Sequence, residues 1–346
     1  MRKTLCDMAR HMKHLILHEI PDTYAINPIF EDIASEECIR KGVLVFRDFL
    51  YKLCDILIAE GDAYDNKKKI AHAFDNRSAI SVHYPFLHNI GYLLMNIGIS
   101  GMLTDDAGAI AAEGTIFNQK LSASKNMQCL RFLSDCGLCF GGLDLHEKKP
   151  DFTTTGLMTI TYPENPAMLT GLKVMAIAHK KFWSNDCTDI FLRCDYRVIK
   201  KEKTEAVSIL KDTIQHLSGD IQDYLLKLHQ RYLDKGLSCD IKIKDYWVKI
   251  YYSCRKKEIW AINASLNNGY QISVKAENAH KYASAVEKFP LYLQEMMAKG
   301  YCCGKKSGIS SHCDGGCRGL RIPLDDSVLD ISDVIEIWFD NEISYL

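Results

Sequence analysis

The segment Tyr301–Gly319 holds the densest set of reactive and metal-ligating side chains in this sequence. These side chains are four thiols and one imidazole: Cys302, Cys303, His312, Cys313 and Cys317. Three residues separate Cys313 from Cys317, and two of them are glycines that permit a tight turn. Zinc takes four tetrahedral ligands, and this spacing suits one half of such a site. The sequence therefore predicts a candidate zinc site, with Cys302, Cys303 or His312 completing the ligand set.

Two other interpretations of this segment stay open. Lys305, Lys306, Arg318 and Arg321 lie close in sequence, and neighbouring positive charge favours the thiolate form of a cysteine. The thiols could then cycle between reduced and disulfide forms, as in a thiol-dependent enzyme. Alternatively, the segment is a glycine-rich loop whose cysteines pack against a sheet. Outside it, no phosphate-binding loop, dinucleotide fingerprint, H-E-x-x-H or G-x-S-x-G motif occurs, which favours a protein that is not an enzyme.

Composition indicates an ordinary globular protein. Of the 346 residues, 47% are hydrophobic and 25% are charged, and the formal net charge is −1. The length predicts two to three domains, and the charge gives no global attraction to nucleic acid or membranes. We expect no membrane partner, because the N-terminus lacks an apolar secretory core and no long apolar run follows. Without a secretory signal, the 14 cysteines read as reduced thiols of a cytoplasmic protein.

The pattern of periodic segments predicts an α+β fold: a helical N-terminal region, a middle segment of helices and a hairpin, then small sheets covered by helices. The run Val43–Ala59 has apolar residues at three- and four-residue spacing, and Gly61 is expected to end that helix. Four segments follow from such patterns. They are 1–84, all-helical; 85–162, helices and hairpin; 163–236, strands and helices; and 237–346, a C-terminal α+β module that contains the cysteine-rich loop.

Residues 85–162 carry a sequence of signals in a recognisable order. Pro85 is expected to open one helix, and Ser122 or Ser124 to cap a second one that ends at Gly137. An extended run, Leu138–Leu145, and a polar tip lead to the alternating run Leu157–Tyr162, so a hairpin is predicted.

Helix, capped helix and hairpin follow one another as in winged-helix proteins, which this segment resembles in element order. The resemblance implies DNA as a partner and a set of DNA-facing residues: Ser122, Lys125, Asn126 and Arg131 on the second helix, Lys148 and Lys149 on the hairpin. Winged-helix folds also serve protein recognition. Asp144, Glu147 and Asp151 dilute the positive charge of the hairpin, so that alternative stays open.

The run Ile190–Val198 alternates between apolar and polar residues, which predicts a half-buried strand. Arg193, Asp195 and Arg197 would share its polar face. Such a row could line a cleft for an anion or a small-molecule ligand, or form cross-strand ion pairs on an exposed sheet face. Two amphipathic helices, Thr204–Leu217 and Asp220–Lys235, are predicted after it.

In the C-terminal segment, three runs read as strands: Tyr246–Ser253, Ile259–Ser265 and Tyr270–Ala276. The second and third are joined through Asn267-Asn268-Gly269, a strong hairpin signal. Further elements are a helical stretch Ala279–Lys299 broken near Pro290, a short strand Leu320–Leu324 and a helix Ser332–Glu342 capped by Asp330 or Ser332. The order of strands and helix resembles small α+β modules of the YjbR/MmcQ type, and no functional residue is carried over from that resemblance.

Together these observations predict a cytoplasmic, non-enzymatic regulatory or ligand-binding protein that binds DNA through the segment 85–162. A thiol- or metal-dependent enzyme and a protein-interaction scaffold are the alternatives. The sequence identifies neither a ligand nor an oligomeric state.

Overall fold

The structure of the chain is a computed structural model, and it describes the following residues: 4–64, 85–117, 122–147, 150–153, 155–182, 191–201, 205–244, 247–265, 268–274, 276, 278–300 and 320–346. They form two compact units. The first consists of Met1–Thr204 with Lys244–Tyr246, and the second of Glu205–Ile243 with Trp247–Leu346. The segment 163–236 is thus divided between the two units. The fold class is α+β, as predicted.

The first unit is built on helices that pack at close range. They are α1 (Leu5–Leu15), α2 (Glu36–Tyr64), α3 (Pro85–Ser100), α4 (Ala123–Asp135) and α5 (Ala167–Phe182). A Cβ atom on Gly171 of α5 would lie 2.1 Å from the carbonyl oxygen of Gly42 on α2, so only glycine permits this crossing. A Cβ on Gly98 of α3 would lie 2.4 Å from the Cβ of Ala176 on α5. Small residues thus let three helices share one core.

A small antiparallel sheet completes the first unit. Its strands are β1 (Met102–Leu103), β2 (Ile110–Glu113), β3 (Cys139–Gly141) and β4 (Leu157–Thr161), in the spatial order β1-β2-β4-β3. A short 3₁₀ turn, Gly114–Phe117, follows β2. Ile110 pairs with Ile160 and Ala112 with Met158, and all four side chains are buried on the face toward the helices.

The helix boundaries predicted for this unit are largely confirmed, with two corrections. Gly61 does not end α2, which continues to Tyr64. A Cβ on Gly61 would lie 3.3 Å from the backbone nitrogen of Cys6, so this glycine serves the close approach of α1 instead. Only Cys139–Gly141 of the predicted extended run Leu138–Leu145 is a strand, because β4 offers pairing partners to those three residues alone.

The second unit is a five-stranded sheet with helices. The strands are β5 (Ser238–Lys244), β6 (Trp247–Cys254), β7 (Lys257–Ser265), β8 (Gly269–Val274) and β9 (Leu320–Pro323), in that spatial order. The helices are α6 (Ala206–Ile214), α7 (Gly219–Asp234), α8 (Ala283–Val286), α9 (Leu291–Gly300), α10 (Ser327–Asp330) and α11 (Ser332–Ser344). Strands β6 to β9 pair antiparallel.

Aromatic rings form the core of the second unit. The indole of Trp260 on β7 stacks on Tyr252 of β6, with ring centroids 3.8 Å apart, and on Phe339 of α11 at 4.9 Å. Tyr232 of α7 packs edge-on against the same indole at 5.6 Å. Strands β6 and β7 and helices α7 and α11 therefore meet at the buried indole of Trp260.

The predicted elements of this unit are mostly confirmed, including the hairpin at Asn268-Gly269 and the break near Pro290. Strand β5 was not predicted. Helix α11 begins at Ser332, but its N-cap position is Ile331 rather than Asp330 or Ser332. Among the helices of the described residues, none is long and apolar enough to cross a membrane.

Candidate nucleic-acid interface

The exposed face of α4 lies at its N-terminal turn. Ser122 occupies the N-cap position, although its hydroxyl makes no capping hydrogen bond, and the side chains of Ser122, Ser124 and Lys125 are exposed. Gln128 extends the same face by one turn and is also exposed. The opposite face is buried through Met127, Leu130, Phe132 and Leu133. Two of the predicted DNA-facing residues of this helix, Ser122 and Lys125, thus point to solvent.

The side chain of Asn126 does not point to solvent, so its predicted place at a DNA groove is wrong. Its side chain is fully buried, and its amide nitrogen donates a hydrogen bond to the backbone carbonyl of Phe117. The bond ties α4 to the 3₁₀ turn Gly114–Phe117. A polar residue in a first helical turn gives no sequence signal that separates this role from an exposed one.

Arg131 reaches from α4 to the connection between β3 and β4. Its Nε donates to the carbonyl of Leu145 at 2.6 Å and its Nη2 to the carbonyl of Glu147 at 2.9 Å. Within the connection, the Asp144 carboxylate accepts from the backbone nitrogen of His146 at 2.8 Å, an Asx turn. The guanidinium therefore holds the base of the hairpin loop instead of facing a groove. Lys148 and Lys149 follow directly and lie outside the described residues.

The charge of the segment 85–162 is acidic. It contains seven carboxylates, Asp105, Asp106, Glu113, Asp135, Asp144, Glu147 and Asp151. It contains five basic side chains, Lys120, Lys125, Arg131, Lys148 and Lys149. Thr153 donates to Asp151 from its backbone nitrogen and its hydroxyl, which holds the pKa of that carboxyl below its usual value. The segment gives a nucleic acid little net electrostatic attraction.

The outer face of the four-stranded sheet exposes two large apolar side chains. Met102 on β1 is 67% exposed and Leu157 on β4 is 68% exposed. The strand register places both on the face away from the helices, with Ala111, Glu113 and Thr159 between them. This is the largest exposure of apolar side chains in the described part of the first unit.

The predicted strand Ile190–Val198 is wrong, since residues 192–194 form a turn and Tyr196–Ile199 a 3₁₀ turn (Ile190 is not among the described residues). Both halves of the alternation are buried: Arg193 is 4% exposed, and Asp195 and Arg197 are each 9% exposed. Asp195 caps the 3₁₀ turn by accepting from the backbone nitrogen of Arg197 at 3.1 Å. The described residues of this run, 191–198, therefore present no exposed polar face.

Asp195 and Arg197 form a buried, two-pronged ion pair. The guanidinium Nε and Nη2 atoms lie 2.6 and 2.7 Å from the two carboxylate oxygens. The segment is held on both sides by backbone bonds, from Leu17 to Arg193 at 3.1 Å and from Asn27 to Ile199 at 2.9 Å. Such an arrangement stabilises the interior, and the ligand-binding role of Arg193, Asp195 and Arg197 stays a prediction.

The predicted metal ligands Cys302, Cys303, His312, Cys313 and Cys317 all fall in a part of the chain that the structure does not describe. Among the described residues, no group of three or more histidine, cysteine, aspartate or glutamate side chains is placed to hold a metal ion. Burial raises the pKa of the Cys54, Cys129 and Cys136 thiols to about 12, so these three stay protonated. Zinc in the C-terminal loop remains a prediction, which metal analysis of the wild type beside Cys313→Ser and Cys317→Ser tests.

The helices and strands of the segment 85–162 succeed one another as α3, the two-residue strand β1, β2, the 3₁₀ turn, α4, β3 and β4. In the sheet, β4 lies between β2 and β3. No family model matches the chain, and no curated protein and no solved structure matches it either.

Proposed function

We propose that the chain is a cytoplasmic, non-enzymatic regulatory protein and that residues 85–162 are a winged-helix-like module that binds duplex DNA. Apart from the two-residue strand β1 between α3 and β2, the elements follow the order α3, β2, 3₁₀ turn, α4, β3 and β4. This order, with β4 in the centre of the three longer strands, carries the proposal. Winged-helix modules share this layout, in which the second long helix enters a groove and the hairpin contacts the backbone.

In this proposal the first turn of α4 faces the DNA. Lys125 contacts a phosphate, Ser122 and Ser124 donate hydroxyl hydrogen bonds, and Gln128 reaches a base edge. Arg131 acts as a positioning residue, because its two bonds fix the loop that leads to Lys148 and Lys149.

A fluorescence polarisation titration of labelled generic duplex DNA at low salt tests the proposal. We expect Lys125→Glu to weaken binding about tenfold, because a phosphate contact becomes a repulsion. Lys41→Glu is the matched control, since Lys41 is also exposed, lies on α2, and its substitution makes the same change in net charge. Equal losses for both variants, or no binding by the wild type at low salt, contradict the module's role.

A protein partner is the second candidate, and the acidic balance of the module together with the exposed Met102 and Leu157 favours it. Under this alternative, Met102→Ser with Leu157→Ser releases a partner that the wild type retains in affinity purification. If the wild type and the double variant retain the partner equally, the outer face of the sheet is not the contact surface.

A further inference from the structure

The two hairpins that share β7 in the second unit turn in chemically different ways. Between β7 and β8 the chain turns through Asn268 and Gly269, and Gly269 has a φ of +65°. Between β6 and β7 Cys254 pairs with Lys257, so the loop consists of two residues, Arg255 and Lys256. One sheet therefore contains a turn with the usual residues and a turn with two cations.

Arg255 and Lys256 both adopt the left-handed backbone region, with φ of +48° and +66°. A two-residue turn of this kind requires positive φ at both positions, and Asn-Gly or Asp-Gly meets that requirement best. A long side chain with a Cβ is strained there. Residues held in a strained backbone conformation are concentrated at functional sites. The arginine and lysine in this turn therefore indicate a functional role, because they do not favour the fold.

The tip formed by Arg255, Lys256 and Lys257 is strongly basic and exposed to solvent. All three side chains are exposed, and none of them takes part in the ion pairs found among the described residues. The next residue, Glu258, does not neutralise them, because its carboxylate is engaged by Lys249 at 2.6 and 2.7 Å. Three adjacent cations thus lie at the end of the β6–β7 hairpin, whose strands are interior strands of the five-stranded sheet.

The surroundings of the tip favour a nucleic acid over a membrane. Large apolar side chains are not exposed on β6 or β7, whereas a membrane-inserting tip needs them. On the outer face of β6, Tyr251 lies under the ammonium group of Lys242, 4.8 Å from its ring centroid. Contact with DNA phosphates needs cations and no exposed apolar surface, and Lys242 adds one more cation beside the outer face of β6.

We propose that the tip Arg255–Lys257 is a binding site for the phosphate backbone of duplex DNA. The hairpin places its three cations against neighbouring phosphates, and the strained turn keeps Arg255 and Lys256 at its tip. This site does not depend on the winged-helix-like module, since it consists of residues of the second unit alone.

The decisive variant is Arg255→Asn with Lys256→Gly, which removes two charges and relieves the turn. We expect it to bind a labelled generic duplex about tenfold more weakly at low salt, while its thermal midpoint rises. A loss of binding in a protein that is more stable than the wild type excludes misfolding as the cause. The matched control is Lys227→Gln with Lys288→Gln, which removes two exposed charges elsewhere in the same unit.

The outcomes separate this site from the module. A loss confined to the tip variant supports the site even where Lys125→Glu has no effect. Unchanged binding of the tip variant, an equal loss in the control variant, or a wild type that binds no DNA at low salt overturns the proposal. If the tip variant binds DNA as tightly as the wild type and Lys125→Glu binds it more weakly, the DNA contact belongs to the module alone, and the proposal is overturned.

Discussion

The hairpin β3–β4 of the first unit and the hairpin β6–β7 of the second unit hold their loops by opposite means. The first has a long connection, residues 142–156, whose base is fixed by the side chain of Arg131. The second turns in two residues and relies on backbone conformation alone. The long loop mixes basic and acidic residues, whereas the short one carries only cations. Positive charge is therefore concentrated where the backbone is most constrained.

The largest expected effect on stability concerns the first hairpin. Arg131→Ala removes two charge-assisted hydrogen bonds to carbonyls, and because the site is partly exposed we expect a loss of about 2 kcal/mol. Urea unfolding measures it, and amide exchange of residues 144–147 should accelerate. As a control, Lys125→Ala on the same helix should stay within about 0.5 kcal/mol of the wild type. A loss no larger than that of the control would show that Arg131 does not hold the loop.

The second hairpin should respond in the opposite direction. Arg255→Asn with Lys256→Gly replaces two strained residues with the preferred turn pair, which should raise the free energy of unfolding by about 1–2 kcal/mol. The reciprocal test is Gly269→Ala in the neighbouring turn, which places a Cβ at positive φ and should destabilise by about 1 kcal/mol. If the first substitution lowers stability, the Arg-Lys turn is not strained.

The smallest effect is a pH dependence in the second unit, whose strand β6 is supported by a buried histidine. His229 Nδ1 lies 2.7 Å from the hydroxyl of Tyr252, and burial lowers the histidine pKa from its usual 6.5. The unfolded chain then binds more protons than the folded one below about pH 6.5, so stability falls as the pH drops. We expect the thermal midpoint to decrease from pH 7.5 to pH 5, and His229→Gln to lose part of that decrease. An identical pH profile in the variant would exclude His229 as the source.

The elements predicted well are those whose signal is local. The spacing of Met127, Leu130 and Leu133 marks the buried face of α4, and Asn268-Gly269 marks the β7–β8 turn. The Arg255-Lys256 turn carries no such signal, because neither residue prefers positive φ and the pairing of β6 with β7 imposes the conformation.

The candidate site was predictable only in part. Ser122 and Lys125 are exposed as expected, but the burial of Asn126 depends on the position of Phe117, which no local pattern encodes. The alternation around Arg193, Asp195 and Arg197 is typical of a strand. An ion pair between Asp195 and Arg197 makes burial of both faces possible, and that pairing is a tertiary property.

The salt dependence of DNA binding tests the contrast between the two hairpins most directly. The slope of the logarithm of the association constant against the logarithm of salt concentration counts the phosphates neutralised by the protein. Arg255→Asn with Lys256→Gly should reduce the magnitude of that slope by about 2 relative to the wild type. A slope unchanged by that substitution would contradict the assignment of the phosphate contacts to the tip of the β6–β7 hairpin.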